Sequence, residues 1–357
     1  MTDPDRILVL GYRHLGDALF LTPMLRALKR RFPRAYLAVT AHGAGAAALE
    51  HNPHVDRVWR PAGRGIRGKL PLVPALRRER FDAGVMAQHS LPNALLLRLL
   101  GCRVRAGMAT QGCGPLLTHA VGPPHGGAPW HEADRYLALA ATLGAIGDDV
   151  GLEFRSSDAD RAEAATTLGR LGLAGRVSSS HTGRPPLVAL FPGSSPEWTF
   201  KRWPADRFAA LGGRLVDGRG CRVLVVGGRD DLSAMREVSA NLAAPHAMDD
   251  APGSLGRFAA LVAECDVLVT NDSGPMHLAT AVGTRVVDLA GPSDPRRTGP
   301  YGPGHVVVQK VPPGSPKAWA AAADPALPMK LITIDDAAAA VDTVLAGLGV
   351  DCPIPRQ

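Results

Sequence analysis

Five cysteines, Cys102, Cys113, Cys221, Cys265 and Cys352, are few and odd in number for 357 residues, and none forms a C-x-x-C pair. Neither a disulfide framework nor a thiolate zinc site is written in that spacing, and a reducing, cytoplasmic setting is the expectation. Aromatic residues are only 5% of the chain, too few for the stacking platform of a single-strand nucleic-acid binder, so no nucleic-acid partner is expected. No uninterrupted apolar stretch reaches the ~18 residues of a membrane-spanning helix. The start, MTDPDRILVL, is acidic with a short apolar run, unlike a secretory signal.

Arginine, by contrast, is abundant and unevenly spread. Residues 1–180 carry 23 Lys and Arg against 15 Asp and Glu, whereas residues 181–357 carry 17 against 18. The basic excess gathers at Arg26, Lys29, Arg30, Arg31 and Arg34, and again over 57–80, where eight basic residues face the single acid Glu79. Such a field serves as a solvated face or as a landing surface for an anionic partner. At 46% hydrophobic, a chain of this length buries two cores without staples.

The pattern predicts a buried strand over Arg6–Leu10, a loop closing at Gly16 and Asp17, a helix over 18–31 and a strand over Tyr36–Thr40. Apolar runs at Val55–Val58 and Ala83–Ala87 continue this alternation, which is that of a parallel α/β sheet. After RVSSSHTGRPP, a predicted linker at 176–186, a second series begins. It predicts strands at 187–191, 221–226, 267–270 and 285–289, with helices from about 204, at 254–264 and at 276–282. The expected architecture is α/β, two doubly wound Rossmann-like domains over 1–178 and 179–340, with a tail over 341–357 packing back on the first. Ligands in such folds sit at the carboxyl ends of strands.

Three loops at predicted strand ends hold polar residues that apolar packing does not demand. In GYRHLGDAL, Asp17 stands at a helix start, where it serves either as a cap or as a base. In FPGSSPEWTFKRWP (191–204), Gly193, Ser194 and Ser195 offer small-residue backbone and hydroxyls, and Lys201 and Arg202 add positive charge. That composition suits a phosphate, although the loop lacks the G-x-x-x-x-G-K-[ST] pattern of a P-loop. In VTNDSGPMHLATAVGT (269–284), Asp272, Ser273 and Gly274 open a helix with a proline in its first turn, and His277 follows. A helix N-terminus with a hydroxyl and a histidine is an anion site. Absence of a G-x-S-x-G elbow argues against reading the Asp, Ser and His there as a hydrolase. HGAGAAAL (42–49) has the shape of a dinucleotide fingerprint but no ribose-binding acid about 20 residues on, so a small-residue helix start accounts for it.

Taken together, LGDALFLTPMLRALKRRFP, PGSSPEWTFKRWPADRFAAL, VLVVGGRDD and NDSGPMHLATAVGTRVVDLAGPSDPRRTGPYG resemble glycosyltransferase family 9, the lipopolysaccharide heptosyltransferases. Weaker likeness at HNPHVDRV and WHEADRYLALAATLG extends the resemblance over most of residues 6–305. It implies the GT-B fold, an acceptor-binding first domain and a second domain that binds a nucleotide sugar, ADP-heptose above others. It implies a general base at Asp17 and a diphosphate-facing lysine at Lys201. Donor contacts are implied at Ser194, Ser195, Asp272, Ser273, Gly274 and His277, with Gly227, Gly228 and Asp230 or Asp231 toward the nucleoside. Arg13, Arg105 and Arg135 are the implied acceptor-side basic residues. No cofactor and no metal are implied beyond the co-substrate: the leaving diphosphate is neutralised by Lys201, the two serines, a helix N-terminus and His277. The implied partners are a nucleotide-sugar donor and an anionic glycan or glycolipid acceptor, met at the inner face of the cytoplasmic membrane. Two departures bear on the acceptor. Residues 311–333 lack the cysteine-rich loop of many relatives, and Gly11 stands where they carry a basic residue. A sugar transferase of another glycan pathway and a nucleotide-sugar epimerase of similar fold are the alternatives.

Overall fold

Short apolar runs alternating with helices build two six-stranded sheets in which every pairing among the described residues is parallel. The computed structural model describes residues 3–12, 14–63, 65–122, 129–148, 150–173, 184–314 and 316–349. The chain divides into two units, Met1–Phe154 and Arg155–Gln357.

In the first unit the strands are β1 (Arg6–Leu10), β2 (Tyr36–Thr40), β3 (Arg57–Trp59), β4 (Ala83–Met86), β5 (Val104–Met108) and β6 (His119–Val121), in the order β3-β2-β1-β4-β5-β6. In the second they are β7 (Leu187–Phe191), β8 (Arg222–Val225), β9 (Ala247–Met248), β10 (Val267–Asn271), β11 (Arg285–Ala290) and β12 (Val306–Gln309), in the order β12-β11-β10-β7-β8-β9. Counted from its own first strand, the second sheet repeats the 3-2-1-4-5-6 order of the first. Both are Rossmann-like, and the pair is the expected GT-B architecture. Strands next to the reversal, β7 and β10, are buried at all five positions, as strands covered on both faces must be.

The division lies nearer the N-terminus than 178, and the reason is a helix. Asp158–Arg170 packs on the helix Leu255–Ala263, and Thr167 Oγ1 accepts a hydrogen bond at 2.9 Å from Arg257, whose guanidinium also pairs with buried Asp249 at 2.7 Å. Those contacts tie residues 155–170 to the second unit. Of the expected linker, 176–183 lies outside the described residues, while Arg184 is already paired with Asp266 at 2.7 Å beside β10. Residues 341–347, expected as part of a tail, complete the helix Ile334–Gly347, which lies on β10, β11 and β12 and buries Val341, Val344 and Leu345 there. Residues 350–357 lie outside the described residues.

The helix expected over 18–31 is two helices, Leu15–Leu19 and Thr22–Arg31. Pro23 has no N–H to give Leu19, and the Thr22 hydroxyl donates to the Leu19 carbonyl instead, at 2.7 Å. Residues 44–49 form the small-residue helix start, with Gly43 at φ +57°.

Candidate active site

In a doubly wound sheet the loops on either side of the strand-order reversal splay apart at the carboxyl edge and leave a crevice. Here the reversal falls between β1 and β4 in one unit and between β7 and β10 in the other. The residues that leave those four strands are Gly11–Tyr12, Ala87–His89, Pro192–Ser195 and Asp272–Ser273, and they include Ser194, Ser195, Asp272 and Ser273 of the polar residues singled out in the sequence.

In the second unit, buried Asn271 at the end of β10 is the clamp. Its amide donates to the carbonyls of Pro192 (3.1 Å) and Gly193 (2.8 Å), and its oxygen accepts from the Trp203 N–H (2.9 Å). Lys201 is thereby brought to Asp272, which accepts from Nζ at 2.8 Å, and Ser293 Oγ accepts from the same nitrogen at 2.8 Å. An ammonium has three N–H groups, and one remains for an incoming anion. Ser194 is buried; its hydroxyl accepts from Arg202 Nε at 3.0 Å, whereas Ser195 is exposed. Ser273 does not cap the helix Gly274–Ala281 but donates to the Asn271 carbonyl at 3.1 Å, and His277 is buried in that helix. Beneath this group, Asp288 on β11 is fully buried and neither carboxyl oxygen has a hydrogen-bond partner among the described residues. Burial, then the charge of Asp272, holds its carboxyl well above the usual range, against the pull of Lys201.

The two acids at 230 and 231 separate cleanly. Asp231 is buried and accepts from the Gly228 N–H at 3.0 Å, while Asp230 is exposed. A Cβ on Gly193 would stand 2.0 Å from Asp231 Oδ1, so glycine is required where the two loops touch.

In the first unit, Asp17 lies in the first turn of Leu15–Leu19, and burial, then the charge of Glu132, pushes its carboxyl up to about 6. Glu132 takes both oxygens to Arg135 Nη1 at 2.7 Å. Tyr136 donates to Tyr12 Oη at 2.9 Å, and Tyr12 donates to the Ala87 carbonyl at 2.8 Å, which fixes the exits of β1 and β4 to each other. His89 lies beside Arg135 and Glu132; neither ring nitrogen has a partner among the described residues, and burial, then Arg135, lowers it to about 4.

A family model described as glycosyltransferase family 9 (heptosyltransferase) matches residues 70–318. The chain belongs to that family. It is 28% identical over 314 residues to lipopolysaccharide heptosyltransferase 2 of Escherichia coli K12, covering 83% of this chain and 85% of that protein. Among solved structures it is similar to a family 9 glycosyl transferase of Veillonella parvula (TM-score 0.78, 24% identity, 97% of this chain and 98% of that one). It is also similar to E. coli ADP-heptose LPS heptosyltransferase II (TM-score 0.73, 23% identity, 97% and 100%).

Within this family 9 glycosyltransferase the three arginines that the resemblance implies on the acceptor side fare differently. Arg13 lies outside the described residues. Arg135 stands beside the Asp17–Glu132 group. Arg105 does not: it is the second residue of β5, at the amino edge, and its guanidinium donates to the carbonyls of Leu116 and Cys102, both at 2.7 Å. It braces the sheet at the end opposite the crevice. A cation that sequence reasoning missed is Lys69, buried in a cleft of about 230 Å³ lined by Gly11, Tyr12, Gly63 and Gln88. Its Nζ donates to Asn93 Oδ1 at 2.9 Å and to Gln88 Oε1 at 3.4 Å, with no carboxylate partner among the described residues, and burial lowers it to about 8. Its signal was the single lysine in an arginine-rich run. Among the described residues no group of three or more metal-ligating side chains gathers.

Proposed function

We propose that this chain transfers a heptose, with inversion and without a metal, from ADP-heptose to a hydroxyl of an anionic glycolipid such as lipopolysaccharide core. The observation that carries this reading is the division of chemistry between the two switch points. One holds a carboxylate raised to about 6 by burial and by Glu132, the partner of Arg135; the other holds a lysine with one N–H left over, next to a helix N-terminus. The name of the 28% identical relative, a lipopolysaccharide heptosyltransferase, agrees with it.

In this reading the first unit binds the acceptor and the second the donor. Asp17 takes the acceptor's hydroxyl proton as its oxygen bonds to the anomeric carbon from the face opposite the phosphate. The carbon–oxygen bond to the diphosphate breaks, and ADP leaves with the electron pair. A base with a pKa near 6 is ionised at neutral pH yet still basic enough to help. Charge developing on the diphosphate is met by Lys201, the Ser194–Ser195 backbone, His277 and the N-terminus at Ser273–Gly274. Asp230, the exposed acid of its pair, is left to contact the nucleoside. Arg135 and Lys69 offer cations to the acceptor's anionic groups. The protein works in the cytoplasm, peripheral to the inner face of the membrane.

Calorimetric titration with ADP, UDP and GDP in buffer containing a chelator, followed by turnover with ADP-heptose, tests the assignment. ADP is expected to bind at least about ten-fold more tightly than the others, about 1.4 kcal/mol. Preference for UDP or GDP, or turnover only when magnesium is restored, overturns the donor and the metal-free step.

A further inference from the structure

The helix Leu91–Leu99 follows the β4 exit, and its buried side is ordinary: Ala94, Leu96 and Leu97 pack into the core of the first unit. Its other side is not. Leu91, Leu95 and Leu99, spaced by four and so aligned on one face, are 45%, 48% and 49% exposed. Leu70, 52% exposed, joins them from the neighbouring turn Leu70–Leu72. With Ile66 and Pro92 these leucines line a groove of about 680 Å³ that has no acidic residue in its lining. A helix apolar on both sides has two partners to satisfy, and the core is only one.

Charge at the rim identifies the second. Arg98 lines the groove, and Arg67, next to Ile66, is exposed; neither has a carboxylate partner among the described residues. Glu79 and Asp82, the acids between residues 57 and 103, are already paired with Arg6 and Arg57 and with Arg103. A second copy of this chain fits poorly, because an isologous contact sets the same arginines against each other. The aliphatic lining also lacks the aromatic anchors of protein interfaces. Apolar side chains framed by unpaired arginines match an anionic bilayer surface. Continuity gives the direction: Gly65, Lys69 and Gln88 line the polar cleft, while Ile66, Leu70 and Leu91, one to three residues on, line the groove.

We propose that the Leu70–Leu91–Leu95–Leu99 face, with Arg67 and Arg98, is the surface on which this protein sits on an anionic lipid bilayer, its polar cleft beside the headgroups. The proposal rests on the glycolipid-acceptor reading above for its purpose but not for its test. Sedimentation of the full chain with vesicles of phosphatidylglycerol and phosphatidylcholine, against phosphatidylcholine alone, measures partitioning without any turnover. Preferential binding to the anionic vesicles is expected, reduced about ten-fold by Leu95→Gln with Leu99→Gln, and with its preference for the anionic vesicles lowered by Arg67→Gln with Arg98→Gln. Both double variants alter exposed side chains, so they are expected to keep the wild-type circular dichroism and ADP affinity. Equal binding to both vesicle types, wild-type binding by the leucine variant, or a wild-type dimer that the leucine variant dissociates, overturns the proposal. If the vesicle results hold and no sugar is transferred, the transferase reading fails and this surface stands.

Discussion

Asp17 is where one residue links protonation, stability and chemistry. Its carboxyl rises from about 3.8 to about 6 because burial and Glu132 penalise the anion. Activity through a base of that pKa grows as pH rises through about 6, and the kcat/KM profile is expected to show that acid limb. Asp17→Asn is expected to abolish transfer while leaving ADP affinity within about two-fold, since the proposed nucleotide contacts lie on other residues. The sign for stability is opposite. Between about 3.8 and 6 the folded chain holds a proton that the unfolded chain has released, so the favourable contribution is full below about 3.8 and lost by about 6. Asp17→Asn should therefore be more stable than wild type at pH 8, by up to about 3 kcal/mol, and nearly equal at pH 3. Denaturant unfolding at the two pH values checks this; a constant difference would mean that the anion is not penalised. Asp17, Lys201, Asp272 and Ser273 could be singled out at this scale because they are polar residues in the segments that follow apolar strands. Arg105 was implied by the resemblance alone, which does not say which end of a strand a residue occupies, and it lies at the amino edge of β5. Glu132 and His89 were missed because their relevance comes from packing beside Asp17.

At the scale of elements, the crevice of the second unit is held by contacts between loops far apart in the chain. Asn271 binds the β7 exit and Trp203, and Asp231 fills the space that a side chain at 193 would need. Gly193→Ala forces the β7 exit away from Asp231, with an expected stability loss of about 1–3 kcal/mol and at least about ten-fold weaker ADP binding. Asp231→Ala removes the obstacle and also the cap on the Gly228 N–H, so the two changes share one cause. A double-mutant cycle should show the pair costing less than the sum of its members by about 1 kcal/mol or more. Strict additivity would place the loops farther apart than the structure does. The central strands were readable as buried runs; β6 and β9, three and two residues long, carry too little period to be seen. The split at Phe20–Leu21 was signalled by Pro23 but disguised by apolar residues on both sides.

For the whole molecule, the observed division sharpens the charge asymmetry. Residues 1–154 hold 19 Lys and Arg against 12 Asp and Glu, and residues 155–357 hold 21 against 21, so the first unit carries all of the net +7. A boundary at 178 concealed this, because the helix Asp158–Arg170 and its flanks add basic and acidic residues to the second unit in nearly equal number. In the proposed division the neutral second unit, as the donor unit, has no long-range field to lose in salt, and its hold on a diphosphate would come from Lys201 and a helix N-terminus at contact distance. A unit at +7 attracts an anionic acceptor over a distance that screening shortens. Raising ionic strength from about 0.05 to 0.3 M should therefore increase the acceptor KM by about five-fold or more, while the Kd for ADP changes by no more than about two-fold. Parallel kinetics and calorimetry on the full chain decide it. Equal salt sensitivity of the two would mean that the basic field also steers the nucleotide, and that acceptor and donor are not divided between the units.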